Sequence, residues 1–146
     1  MMRSEFGIQE IRKVEVQRKE LPDKELSSRV INAAIQVHKT LGPGFLESFY
    51  EEALCIELSN RDIPFERQKC ICLTYLDKPI GEHRLDLLVA GALVVELKAI
   101  KELEPIHFSI VRSYMKATGV DSGLILNFAT MPLTIKRVGR THSESS

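Results

Sequence analysis

The apolar positions of the chain fall into segments of two different periods. Leu26, Val30, Ala33, Ala34, Val37 and Leu41 recur at three- and four-residue steps, the spacing of one helix face. Asp23 offers a cap for this helix and Gly42-Pro43-Gly44 stops it. A second helix is predicted from Glu47, with Tyr50, Ala53, Leu54 and Leu58 on one side, fraying near Asn60 before Pro64. From residue 65 to 76 the β-branched, aromatic and cysteine content with partial alternation predicts a strand that ends at a turn, Asp77-Lys78-Pro79. Strands follow over 80–89 and 92–99. Pro105, preceded by Glu104, suits the first turn of a helix running to Thr118, where Gly119 is a natural stop. GLILNFA from Gly123 reads as a buried strand, and 133–138 as a last, more exposed one.

The order is helix, helix, three strands, helix, two strands, which predicts an α/β fold with a mixed sheet. The first three strands should form an antiparallel meander, and the helix after them supplies the crossover needed for a parallel neighbour. Residues 1–22 mix charges with scattered Ile, Val and Leu and fit a strand, a short helix or an arm equally well. They read as an N-terminal extension to a single domain over 23–140, with THSESS, 141–146, as a polar tail.

Composition narrows the function classes. At 146 residues, 44% of them hydrophobic, one packed core is expected. No apolar run is long enough to span a bilayer and the start lacks an apolar signal centre, so a cytoplasmic protein is expected. Twenty basic residues balance twenty acidic ones, so any polyanionic partner must be met by a local patch. Arg12, Lys13, Arg18 and Lys19 near the start, and Lys136, Arg137 and Arg140 near the end, are the candidates; a solvated surface explains both as well. Cys55, Cys70 and Cys72 do not suit a disulfide framework and read as reduced, buried thiols.

Against this background LDLLVAGALVVELKAI, residues 85–100, is anomalous, because Asp86, Glu96 and Lys98 interrupt a core hairpin. Glu96 and Lys98 share one strand face and Val95 and Leu97 the other. If Gly91 is the apex of a three-residue loop, Asp86 stands opposite Glu96; a two-residue Ala90-Gly91 turn would oppose it to Val95 instead. In the first register two carboxylates lie with Cβ atoms about 4.5–5.5 Å apart. Like charges at that range raise one pKa, and a hard divalent cation, Mg²⁺ or Mn²⁺, keeps both ionised. Lys98 could then orient or deprotonate a water or offset phosphate charge. The alternative is that the acids pair with Arg84 and Lys98 on an exposed sheet face.

A second set of motifs bears on that choice. LGPGFLESFYEEAL places Gly44, Glu47 and Tyr50 in a GxxExxY arrangement, and IGEHRLDLLV, VVELKAI, SYMKATG and GLILNF follow in order. Over residues 25–138 the chain resembles the GxxExxY proteins, a family within the PD-(D/E)xK nuclease superfamily. The resemblance implies an αβββαβ core, with a mixed central sheet flanked by helices and a metal-dependent phosphodiesterase site on the central hairpin. By position, Asp86 and Glu96 match the metal-binding acids, Lys98 the catalytic lysine, and Glu47 a helix glutamate that approaches the metal through water. The Leu97 carbonyl would be a further ligand.

Each match has a structural rival. A carboxylate at Glu47 is also favoured by the helix dipole, Tyr50 suits packing, and Arg84 suits a phosphate contact or an ion pair. His83 falls on the other face from Asp86 and reads as structural. The family often carries a glutamine four residues before the tyrosine of the following helix; here Tyr114 is preceded by Ile110. That departure bears on substrate binding, for which Arg84 and Tyr114 are the candidates, and His107 just before it reads as a satisfied surface histidine. The function implied is a Mg²⁺- or Mn²⁺-dependent nuclease acting on nucleic acid, DNA first and RNA second, through a metal-activated water. A catalytically weak binding or scaffolding module is the alternative. A homodimer, one site for each strand of a duplex, is a further expectation.

Overall fold

The computed structural model describes residues 22–139. Eight elements follow one another: α1 (Pro22–Leu41), α2 (Glu47–Asn60), β1 (Phe65–Tyr75), β2 (Lys78–Val89), β3 (Leu93–Lys98), α3 (Pro105–Thr118), β4 (Ser122–Asn127) and β5 (Thr134–Gly139). The five strands form one sheet in chain order, with β3 and β4 parallel and every other pair antiparallel. The expected meander, crossover helix and mixed sheet are therefore present. The basic residues Arg12, Lys13, Arg18, Lys19 and Arg140 lie outside the described residues, as do the N-terminal extension through residue 21 and the tail.

The apolar stripes explain the layering. Val30, Ala33, Ala34 and Val37 of α1 and Tyr50, Leu54 and Leu58 of α2 pack on one sheet face, against Val89, Val95, Leu97, Leu124 and Leu126. On the other face Val111, Tyr114 and Met115 of α3 cover Leu88, Val94, Ile125 and Val138. Gly123 makes that second contact close: a Cβ there would stand 2.8 Å from Val111 Cγ1 and 3.0 Å from the Met115 sulfur.

Two expectations are corrected. The β1–β2 turn sits at Leu76-Asp77 and not one residue later, because both take positive φ (51° and 67°), the primed geometry that matches strand twist in a tight hairpin. Cys70 and Cys72 are exposed, while Cys55 is buried. The reason is the length of the hairpin. β3 pairs with β2 only through Leu87, Leu88 and Val89, so most of β1 and β2 runs on beyond the third strand and the thiols meet solvent.

Candidate active site

The β2–β3 loop sets the geometry. Leu87 pairs with Val95, Leu88 with Val94 and Val89 with Leu93, leaving Ala90, Gly91 and Ala92 as a three-residue loop. Continued by one residue, this register sets Asp86 opposite Glu96. Asp86 donates its backbone N–H to Glu96 Oε1 at 3.3 Å, and Asp86 Oδ2 accepts the Leu97 N–H at 2.9 Å. Backbone groups at the end of the ladder thus hold both carboxylates in place.

Glu96 is only 8% exposed, and among the described residues no lysine or arginine lies within salt-bridge distance of either acid. The alternative of ion pairs to Arg84 and Lys98 does not form. Burial, reinforced by the Asp86 charge, pushes Glu96 up to about 8; burial, with Glu51 and Glu47 adding to it, pushes Asp86 up to about 6. Lys98, two residues beyond Glu96 on the same face, pulls both downward. Without a cation, then, the pair retains a proton near neutrality.

Glu47, in the first turn of α2, has its pKa raised by partial burial, against which the nearby Lys98 charge at the end of β3 acts. Tyr50 is a core residue: it stacks on Phe128 (centroids 4.6 Å apart), donates to the Gly42 carbonyl at 2.6 Å and accepts the Phe45 N–H. Arg84 donates to the Gln68 carbonyl at 3.2 Å. Tyr114 is buried beneath the site, with its hydroxyl 3.2 Å from His83 Nδ1 and 3.4 Å from the Arg84 carbonyl. The acids Glu96 and Asp86, after burial, raise its pKa to about 12. His107 Nδ1 accepts the Glu104 N–H at 2.9 Å. Ile110, in the glutamine position, packs against the apolar core under α3.

Two residues absent from the sequence reading join the cluster. Glu51, one helical turn after Glu47 and 8% exposed, accepts hydrogen bonds from Arg67 and Gln68. Gln68 also reaches Asp86 Oδ1 at 3.4 Å. It does so from a left-handed backbone (φ 51°) in mid-strand, a conformation that costs a non-glycine residue about 1 kcal/mol or more. The i to i+4 spacing of Glu47 and Glu51 was a usable signal. Nothing in the sequence announced the kink at Gln68.

The donor set suits a hard divalent cation: two facing carboxylates, anchored by main-chain N–H groups and lacking a cationic side-chain partner. Among the described residues no three acidic, histidine or cysteine side chains converge on one point. The pair itself is therefore the side-chain donor set, and carbonyl or water oxygens would have to complete it. Among the described residues no helix is long and apolar enough to cross a membrane.

No match was found among curated proteins. Among solved structures that match, one described as "Crystal structure of SSO0001" aligns at 11% identity with a TM-score of 0.49, over 63% of this chain and 48% of its own length. The chain thus spans about half of that protein. The model of the PD-(D/E)XK nuclease superfamily matches residues 24–138, which takes in every element from α1 to β5 except its outermost residues. The chain belongs to the PD-(D/E)XK nuclease superfamily.

Proposed function

We propose that this protein is a divalent-metal-dependent nuclease of the GxxExxY type that hydrolyses phosphodiester bonds in nucleic acid, with DNA as the first substrate to test. The observation that carries the reading is the pair of buried Glu96 and half-buried Asp86, without a cationic side-chain partner and followed on the same face by Lys98. Asp86 and Glu96, with the Leu97 carbonyl and more distantly Glu47, would hold Mg²⁺ or Mn²⁺. Such an ion supplies Lewis-acid chemistry, neutralising phosphate charge and making a water nucleophile more acidic.

The chain's own residues do the rest. The Leu97 N–H and Gln68 fix the two oxygens of Asp86, so the carboxylate keeps one orientation as substrate arrives. Lys98 projects from the same face about 7 Å beyond Glu96. There it can offset the charge that develops on a phosphoryl oxygen, or exchange a proton with the attacking water. Arg84, exposed on β2, would contact a phosphate directly, and Tyr114, buried on α3, would support it from beneath through its hydrogen bond to the Arg84 carbonyl.

The test is metal-dependent cleavage of single-stranded, duplex, flapped and branched DNA and RNA, by wild type and by Lys98→Ala. Cleavage that falls by about 10²–10⁴-fold in the variant, with folding unchanged, is the expected result. Wild-type protein that binds metal but cuts none of these substrates removes the nuclease reading.

A second reading is favoured by Ile110, whose side chain is packed where the family's glutamine would offer an amide. On that reading the protein is a weak or inactive nuclease-like module that binds nucleic acid or serves as a scaffold. Ile110→Gln separates the two, because increased cleavage marks an intact catalytic set short of a substrate contact.

A further inference from the structure

Beyond the acid pair the same sheet face continues to a cavity of about 300 Å³ that the proposed chemistry does not use. Its lining includes Lys101, Glu102, Asn127, Thr130, Thr134 and Lys136. The strand registers connect it to the site. Glu96 pairs with Ile125, which pairs with Lys136; Lys98 pairs with Asn127, which pairs with Thr134. Residues paired across a sheet point to the same side, so Glu96, Lys98, Asn127, Thr134 and Lys136 share one face at the carboxyl ends of β3 and β4, with the buried Ile125 between Glu96 and Lys136.

The cavity is built from groups that are already tied down. Asn127, 1% exposed, accepts the Ile100 N–H at 3.1 Å and donates to the Ile100 carbonyl at 2.9 Å. This fixes the turn that presents Lys101. The Thr130 hydroxyl bonds to the Thr134 hydroxyl at 2.6 Å and to the Pro132 carbonyl at 2.8 Å, which fixes the opposite wall. Against that rigid frame, and among the described residues, neither Lys101 nor Lys136 has a salt-bridge or hydrogen-bond partner, and Glu102 pairs with neither. Arg137, its neighbour in the sequence, points the other way and donates to Ser27 of α1. Of the two described residues of that basic patch, Lys136 is the one that lines the cavity.

We infer that this cavity is a backbone-phosphate subsite, in which Lys101 and Lys136 hold the substrate strand on one side of the phosphate addressed by Asp86, Glu96 and Lys98. Lys136 lies two strand spacings from Glu96, about 9.5 Å. A stacked nucleic-acid strand covers that distance in two to three nucleotides at about 3.4 Å each. Lys101 and Lys136 act as point charges on a phosphate and carry no base selectivity, so they set affinity and the path of the strand. The inference rests on the nuclease reading, because that reading supplies the strand.

The experiment is fluorescence anisotropy of a labelled single-stranded oligonucleotide with the full chain, with Ca²⁺ replacing Mg²⁺, across a salt series. The variants are Lys101→Ala/Lys136→Ala and a control of equal charge change, Lys24→Ala/Lys39→Ala, on α1 across the sheet. The cavity variant is expected to bind at least tenfold more weakly, and its log–log salt slope should fall by roughly 1.4, at about 0.7 per phosphate contact on a single strand. The control should keep the wild-type slope. In cleavage assays the cavity variant should raise KM and leave kcat unchanged. Equal losses in both variants, or an unchanged slope in the cavity variant, overturn the subsite while leaving a cleaving wild type as a nuclease. Wild type that neither binds nor cleaves nucleic acid overturns both.

Discussion

The two faces of the central sheet are made by the same strands and serve opposite ends. Beneath α1 and α2 the face is apolar along its length, from Leu87 and Val89 through Val95 and Leu97 to Leu124 and Leu126. Beneath α3 it starts apolar, with Leu88, Val94 and Ile125, and then turns to Glu96, Lys98 and Asn127. Leu97 is thus a core residue flanked in sequence by two site residues, because a strand gives alternate positions to alternate faces. The difference shows how a short sheet keeps its stability while carrying an acid pair: one face supplies an unbroken core, so the other can leave half its length polar.

The sharpest way to break this comparison is to change neighbours on opposite faces. Asp86→Asn should abolish Mn²⁺ binding measured by titration calorimetry while the thermal transition stays cooperative. Binding at wild-type strength would show that the polar face is not a metal site. Leu97→Ala should do the reverse, lowering stability by about 2–5 kcal/mol in urea unfolding, since a fully buried leucine leaves a cavity when truncated. A loss below about 1 kcal/mol would mean that this face is less tightly packed than its burial indicates.

Gln68 gives a smaller effect. If its amide positions Asp86, Gln68→Ala should weaken Mn²⁺ binding by about 10-fold, as removing the partner of a metal-binding group commonly does. Gln68→Glu should weaken it less, as the added carboxylate repels Asp86 but attracts the ion. Gln68→Gly, which relieves the left-handed strain, should raise stability even as affinity falls; if the two move together, the kink has no functional role.

The smallest effect is on pH. Folding raises both Asp86 and Glu96 above the ordinary carboxylate range, so between about pH 4 and 8 the folded chain holds more protons than the unfolded one. Stability from this source is complete below the unfolded pKa and is lost as pH rises through about 6 and then about 8. The metal-free protein should melt several degrees lower at pH 8 than at pH 5. Glu96→Gln, or added Mn²⁺ for the wild type, should flatten that decline.

Much of this could be read in the chain. The helical stripe of α1 marks itself because only one face is apolar, Pro105 and Gly119 bracket α3, and element ends fell within a residue or two. The hairpin register was legible as a condition, because Asp86 and Glu96 share a face in only one of the two loop lengths. What escaped depends on long-range packing. Glu51 matters because α2 lies against β1, where Arg67 and Gln68 meet it, and Gln68 because one residue takes a backbone conformation that composition does not favour. Cys70 and Cys72 look like core residues by type, and only the reach of β1 and β2 past β3 shows that they are not. Tyr114 and His83 come together through the docking of α3, which no local pattern encodes.

The order of pairing in the sheet also bears on how the protein folds. β1, β2 and β3 are joined by consecutive hairpins, so their contacts are local and do not depend on α3. The pairing of β3 with β4 spans α3 and is the least local in the sheet, so contact order favours the hairpin that carries Asp86 and Glu96 forming ahead of it. During that interval the far edge of β3 is an open template for other strands. The charged pair and Lys98, placed where that strand ends, are residues of the kind that discourage edge-to-edge pairing of an uncovered strand.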